Sequence, residues 1–402
     1  MVPIPYVTSA WDVYSALAVF VLGLWLARAV GRAFGLSYML CLPLYLWHTA
    51  FCVLYAWFVN GDGGDSLMYY RASLNDGVEF SFGTAGVIVF TSLFTQGLGL
   101  SFLGTFLVFN LAGYVGLLAF AGSLHQAIAE RALGIRLLAL AVLFLPSMHY
   151  WGSAIGKDAL SFLSMGLSLW AALDLRRRHL LMVVAVMIML VVRPHMAGIQ
   201  LIALAAAFCL QPGVVLWQRL LLGTAALAGA AIIVPLALDY AGVGSGSDAD
   251  QVMSYIELRQ SYNQTGGGAV DIASMSLPMQ LFTYMFRPLP MEASSVFQLA
   301  SSVDNVILLY LMVVGGIAAI TGRNAPPANR LFLWFYLLLA WTILAMTTAN
   351  LGIAARQKWM FTPVLIYLLM SVMGRPRQTA TDAESSGGST PSVESTPNGV
   401  AR

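Results

Sequence analysis

The chain has 402 residues, 59% of them hydrophobic and only 9% charged, with a net charge of +2. Its mean hydropathy is +0.78. Soluble domains carry roughly 45–50% apolar residues, so this composition excludes an ordinary soluble domain, and the near-neutral balance gives no electrostatic case for a nucleic-acid partner.

Runs of about 20 apolar residues recur from end to end, which predicts an all-α, polytopic membrane protein. The alternation of ten-residue segments that marks a membrane barrel is missing. About eleven spans are expected, at residues 12–28, 37–59, 97–120, 136–152, 159–175, 180–192, 196–211, 220–239, 303–320, 331–349 and 359–373. The 180–192 run is short for a span. The run 83–96 reads either as a re-entrant or interfacial helix or as part of the next span. The N-terminus lacks the basic start of a cleavable signal peptide, so the first span is expected to be retained. Cys41, Cys52 and Cys209 fall in apolar runs and read as small buried hydrophobes. No internal repeat is evident.

Basic residues orient the chain. With the N-terminus outside, 13 of the 20 Lys and Arg lie in inner loops and every inner loop carries an Arg. The acidic residues split the other way, with 13 of 18 outside or at the outer edge. The inner loops are short, whereas the outer face holds the long loops 60–82 and 240–302, so any chemistry is expected outside. The membrane body is expected to span 1–373, and the Ser/Thr/Gly/Pro-rich tail 374–402 to be a disordered cytoplasmic extension. Within 240–302, glycines at 242–246 and 266–268 flank a candidate short helix at 250–262, read as a mobile lid or as a plain solvated loop. Residues 277–286 are apolar enough to lie on the membrane surface.

Charge is expensive in lipid, so polar islands mark working or anchoring sites. The first, Gly61 to Arg71, holds Asp62, Asp65, Tyr69, Tyr70 and Arg71. Asp65 and Tyr69 share a face if a helix starts there. An outer carboxylate is the group needed as general base on a sugar hydroxyl, while the bland reading is a helix cap. The second island carries His149, Lys157 and Asp158, with Asp158 fitting an N-cap and Lys157 placed against the helix dipole unless an anion binds there. The third is Arg193-Pro194-His195, a tight reversal with an Arg that either anchors or lines a cavity. The fourth pairs Arg287 with Glu292 across two prolines, as a local salt bridge or as a guanidinium offered to phosphate. The fifth runs from Asn350 through Arg356 and Lys358 to Trp359, an interface belt or an anion site. Five loops thus bring cations together with carboxylates or His to one side. No His/Cys/Asp spacing makes a convincing metal site, although a divalent cation (Mg2+ or Mn2+) held by Asp62 and Asp65 with substrate phosphates is an open alternative.

The outer loop with its acids and Tyr69-Tyr70 resembles the first-loop region of GT-C class membrane glycosyltransferases. The segments 151–158, 287–293 and 350–358 resemble recurring segments of bacterial polytopic proteins grouped with exopolysaccharide and O-antigen polymerases. The likeness runs over residues 60–373 as short islands. Many GT-C enzymes place the acidic motif after the first span and add a soluble C-terminal domain; here the acids follow the second span. The resemblance implies a polyprenyl-(di)phosphate-linked glycan as donor and a second glycan as acceptor. They would be joined on the outer side of the bacterial inner membrane, with other polysaccharide-export components as partners. It carries Asp62 or Asp65 over as candidate base, and Arg193, Arg287, Arg356 and Lys157 as candidate diphosphate ligands. The runner-up is a transporter or flippase for an anionic lipid-linked glycan, and a third class is an assembly scaffold.

Overall fold

A computed structural model describes residues 3–210, most of 215–231, 268–321 and 330–374. Among the described residues every regular element is helical, and the only strand-like feature is an isolated bridge between Ala269 and Asn350. The helices are α1 (Ala10–Ala33), α2 (Tyr38–Asp62), α3 (Asp65–Ser73), α4 (Thr84–Thr95), α5 (Phe102–Ile128), α6 (Leu133–Leu143), α7 (Pro146–Gly152), α8 (Lys157–Leu173), α9 (Leu175–Val192), α10 (Pro194–Leu210), α11 (Leu277–Phe286), α12 (Val296–Ile320), α13 (Arg330–Thr347), α14 (Leu351–Gln357) and α15 (Thr362–Val372). Among the described residues six stretches are long and apolar enough to cross a membrane: α1, α2, α5, α6 with α7, α12 and α13. The described residues are therefore those of an all-helical membrane protein. The proposed tail and the candidate helix at 250–262 lie outside the described residues.

α5 is the spine. Its apolar window is 78% buried, against 17% for α1 and 28% for α12, so the last two turn most of their apolar surface outward, as helices facing lipid do. Lipid tails are as apolar as Leu, so helices in a membrane associate through close backbone approach, not apolar burial. α5 and α8 do this through Gly116 and Gly166: a Cβ on Gly166 would run into the Gly116 carbonyl. Cys41 and Cys52 are buried as expected, but Cys209 lies on an exposed face of α10. The reason is the same: an apolar side chain has no need to turn inward where the solvent is lipid.

The helix bounds differ from the sequence reading at informative places. The run 83–96 is its own helix, α4, packed on α3 and α9 and separate from α5. The expected span 136–152 is two helices, because Pro146 has no N–H to continue the ladder and starts α7 afresh. The short run 180–192 is the apolar part of α9, whose backbone is broken at Arg178 (φ −115°, ψ 20°), so that a short turn carrying three arginines precedes it. Arg178, the kink residue, lies 3.8 Å over the Trp170 ring and donates to the Trp170 carbonyl at 2.7 Å.

The two ends of the bundle are distinct. At one end Phe34 meets Trp170, Arg131 donates to the Ser371 carbonyl, and Arg178 folds back on α8. At the other end the chain leaves α2 at Asp62, enters α8 at Lys157, turns at Arg193 and passes through α14.

Candidate functional site

Local chain rules build the second end. Gly63 and Gly64 sit at φ 84° and 146°, a region that excludes most side chains, and turn α2 into α3 within two residues. Gly64 is the N-cap of α3, and neither Asp62 nor Asp65 caps it through its side chain. Gly156, at φ 150°, starts α8 with its Cα against the Tyr69 ring, where a Cβ would lie 3.3 Å from the ring. Ser66 Oγ locks the two turns together by donating to the Ile155 carbonyl at 2.7 Å. Arg193 closes α9 and Pro194 opens α10. Asn350 caps α14, accepting from the N–H groups of Gly352 at 2.9 Å and Ile353 at 3.2 Å.

These turns assemble a chain of alternating charge. Asp65 accepts from Arg356 at 2.8 Å, Arg356 Nε stands 3.3 Å from Asp158, and Asp158 accepts from Arg193 at 2.5 Å. Arg193 also donates to Ser161 Oγ at 3.2 Å. Asp158 is therefore not a helix cap, since the N-cap is Gly156 and its own carboxylate is spent on two guanidinia. The chain grades from wet to dry: the Asp65 side chain is 57% exposed and that of Arg193 only 7%. Asp158 first, then Asp65, hold the Arg356 guanidinium protonated above even its ordinary range, against the cost of desolvation. Burial, followed by the charges of Asp65 and Asp158, pushes the Tyr69 phenol up to about 12, so it stays a neutral donor. Tyr55 and Trp151 complete the surround, Trp151 with its ring 5.8 Å from the Arg356 guanidinium.

The other predicted residues lie elsewhere or do other work. Asp62 ends α2, is exposed, and has no hydrogen bond or ion pair to a described residue; it stands near the Tyr150 ring. Tyr70 is buried, edge-on to Phe102. Arg71 is in the last turn of α3 and His195 in the first turn of α10, both half-buried; Lys157 is the first residue of α8. Arg287 and Glu292 form a local clip at 2.7 Å, and Glu292 also accepts from the Leu289 N–H at 2.8 Å. The Arg287 hydrogen bond holds the Glu292 carboxyl below its ordinary range.

His149 and Lys358 are drawn instead into two buried polar clusters, with partners that escaped the sequence reading. His149 pairs with His48 of α2, Nδ1 to Nδ1 at 3.0 Å, and its Nε2 meets the Leu143 carbonyl at 2.8 Å. Because a carbonyl only accepts, Nε2 of a neutral His149 carries the proton, and His48 is then the donor between the rings. Lys358 is fully buried and donates to Asn305, whose amide in turn donates to the Pro288 carbonyl at 2.9 Å. Asp304 beside it accepts from Ser147 through both the backbone N–H, at 2.8 Å, and the hydroxyl. The signal was available: His48, Asp304 and Asn305 are polar residues inside apolar runs, which by default deserve a named partner.

Among the described residues no three His, Cys, Asp or Glu side chains converge as a metal site. Asp65 spends an oxygen on Arg356, so a divalent cation at Asp62 and Asp65 would draw most of its ligands from substrate phosphate. Compared with known protein families, curated proteins and solved structures, the chain matches none.

Proposed function

We propose that this chain is a membrane glycosyltransferase or glycan polymerase of the GT-C-like, exopolysaccharide and O-antigen polymerase type. Its donor is a polyprenyl-(di)phosphate-linked glycan, used on the outer face of the bacterial inner membrane in polysaccharide synthesis. The observation that carries the reading is the charge chain Asp65–Arg356–Asp158–Arg193, drawn from four separated polar islands to one end of an apolar bundle. The topology behind it is about eleven spans with the N-terminus outside and the C-terminus cytoplasmic. In support, four of the five polar islands meet at one end, and the Arg131 and Arg178 contacts lie at the other.

Asp62 is the preferred base, because its carboxylate is exposed and uncommitted among the described residues while Asp65 is engaged by Arg356. In the proposed step an acceptor hydroxyl loses its proton to Asp62 and its oxygen bonds the anomeric carbon of the donor. The bond from that carbon to the diphosphate oxygen breaks, and the diphosphate departs with the electron pair. Arg356 and Arg193 receive the developing charge. They are already oriented by carboxylates, and preorganised electrostatics is usually the largest catalytic term. Tyr69 adds a neutral donor. Were Mg2+ or Mn2+ to take part, Asp62 and Asp65 with the donor phosphates would hold it and it would supply charge neutralisation on the diphosphate; adding EDTA and then restoring each cation reads this.

The test is transfer from a polyprenyl-diphosphate-linked oligosaccharide by the purified full-length protein. Asp62→Asn is expected to lower kcat by about 100-fold or more while donor binding persists; full activity in Asp62→Asn, Asp65→Asn and Arg193→Ala would sink the proposal. In cells lacking the gene, an accumulated single repeat unit marks a polymerase and a truncated unit a single-addition transferase. One observation favours the second reading, a transporter or flippase: Lys358 and Asp304 are fully buried, and Asp304 lies in the span-length helix α12. Translocation of a fluorescent lipid-linked glycan by reconstituted vesicles without glycan extension would select it.

A further inference from the structure

Four buried tyrosines show how this chain treats a phenol. Tyr45 donates to the Phe20 carbonyl at 2.8 Å, Tyr114 to the Cys41 carbonyl at 2.7 Å, and Tyr336 to the Met360 carbonyl at 2.8 Å. The fourth, Tyr284 of α11, is 2% exposed and its hydroxyl has no partner. Its ring stacks on Phe361, with centroids 6.1 Å apart and planes at 19°, a slot that Phe would fill equally well. A buried hydroxyl left unmet is costly, so its presence calls for a partner from outside the chain. Tyr284 lies within electrostatic reach of Arg193 and Asp158, the dry end of the charge chain. There a second donor is also unmet: Arg356 Nε is buried, and at 3.3 Å from Asp158 it is not aligned to hydrogen-bond it. An unmet phenol and an unmet guanidinium N–H beside Arg193 describe a demand for acceptor oxygens carrying negative charge.

We infer that Tyr284 is a ligand-binding residue whose hydroxyl donates to an oxygen of a phosphate-bearing group held by Arg193 and Arg356. The inference rests on the proposed diphosphate site and assigns that site a residue on the apolar helix of the second long loop. The ligand enters from the wetter side, past Asp65. Water meeting the same hydroxyl is the competing account, and it predicts no link between Tyr284 and anion binding.

The probes are farnesyl diphosphate and inorganic diphosphate, titrated calorimetrically into the full-length protein in micelles. The two probes separate a lipid headgroup from a free phosphate. Tyr284→Phe is expected to weaken binding by about tenfold or more, the loss of one hydrogen bond to a charged acceptor. It should also leave the Tm of the ligand-free protein unchanged or raised, since an unpaired hydroxyl has been removed. Tyr336→Phe, which breaks a satisfied bond, is expected to lower Tm and leave binding unchanged. Unaltered affinity in Tyr284→Phe overturns the assignment alone and leaves the diphosphate reading standing. So does a lowered Tm with an unaltered ligand-induced shift. Failure of the wild-type protein to bind either probe overturns both.

Discussion

Asp158 is the residue on which the site depends. It lies between two arginines and is, among the described residues, the carboxylate partner of Arg193, whose side chain is 7% exposed. Breaking a largely buried pair by removing one charge leaves the other uncompensated, at a cost of roughly 3 kcal/mol or more. Asp158→Asn is therefore expected to lower the Tm by several degrees in a thermal unfolding assay in micelles; an unchanged Tm would mean the Arg193 guanidinium finds water or lipid headgroups instead. At this scale the sequence was half legible. Asp65, Asp158, Arg193 and Arg356 stood out because charge is rare in the chain. Their pairing did not, since 291 residues separate Asp65 from Arg356 and no local pattern records such a contact. The reading of Asp158 as a cap followed from its place at a helix start, and it yielded to tertiary partners that a local rule does not see. Tyr284 gave no signal at all, because a tyrosine in an apolar run looks like packing until its hydroxyl is found unmet.

Among the elements, α5 and α8 form the closest partnership, made by small residues where larger ones would hold the backbones apart. Gly166→Ala pushes a methyl into the Gly116 carbonyl, and helix backbone has no rotamer with which to give way. Its expected effect is a Tm lowered by several degrees with the helical circular dichroism retained, whereas Gly134→Ala, which meets open space, is expected to be neutral. Equal stability of the two variants would refute the close contact. The hydropathy pattern foretold that these helices exist, because apolar runs of span length have few alternatives. It misplaced their ends where polar groups are satisfied side-on. In α9 the apolar run begins after a kink at Arg178, which covers Trp170, and the turn bearing the arginines in front of it is what a charge rule alone leaves out. The break at Pro146 was legible, since a missing N–H is a property of the residue itself.

For the whole molecule, the distribution of Arg predicts a sidedness that cysteine labelling can check. In a variant with Cys41, Cys52 and Cys209 replaced, a cysteine at Glu292 is expected to react with a membrane-impermeant maleimide on intact spheroplasts. One at Arg177, whose side chain is 89% exposed, is expected to react only after permeabilisation. The reverse pattern would invert the topology and move the charge chain to the cytoplasmic face. The class of molecule was plain from composition, as 59% apolar content leaves little else. The convergence of islands at one end was legible only as a consequence of counting spans, because alternate turns of a bundle share a face.

The contact between Arg356 and Asp65 also sets a timetable for biogenesis. Asp65 is translated with the first pair of membrane-length helices, and its partner arrives 291 residues later. The Asp304 carboxylate, likewise, reaches the Ser147 N–H only after a further 157 residues have been made. Until then Asp65 in the early half of the bundle waits for its counter-charge, whereas Asp158 already has Arg193. A nascent chain stalled before Leu351 therefore has its first helices inserted but its charge chain open, and co-expression of the missing C-terminal helices as a separate polypeptide is the natural way to close it.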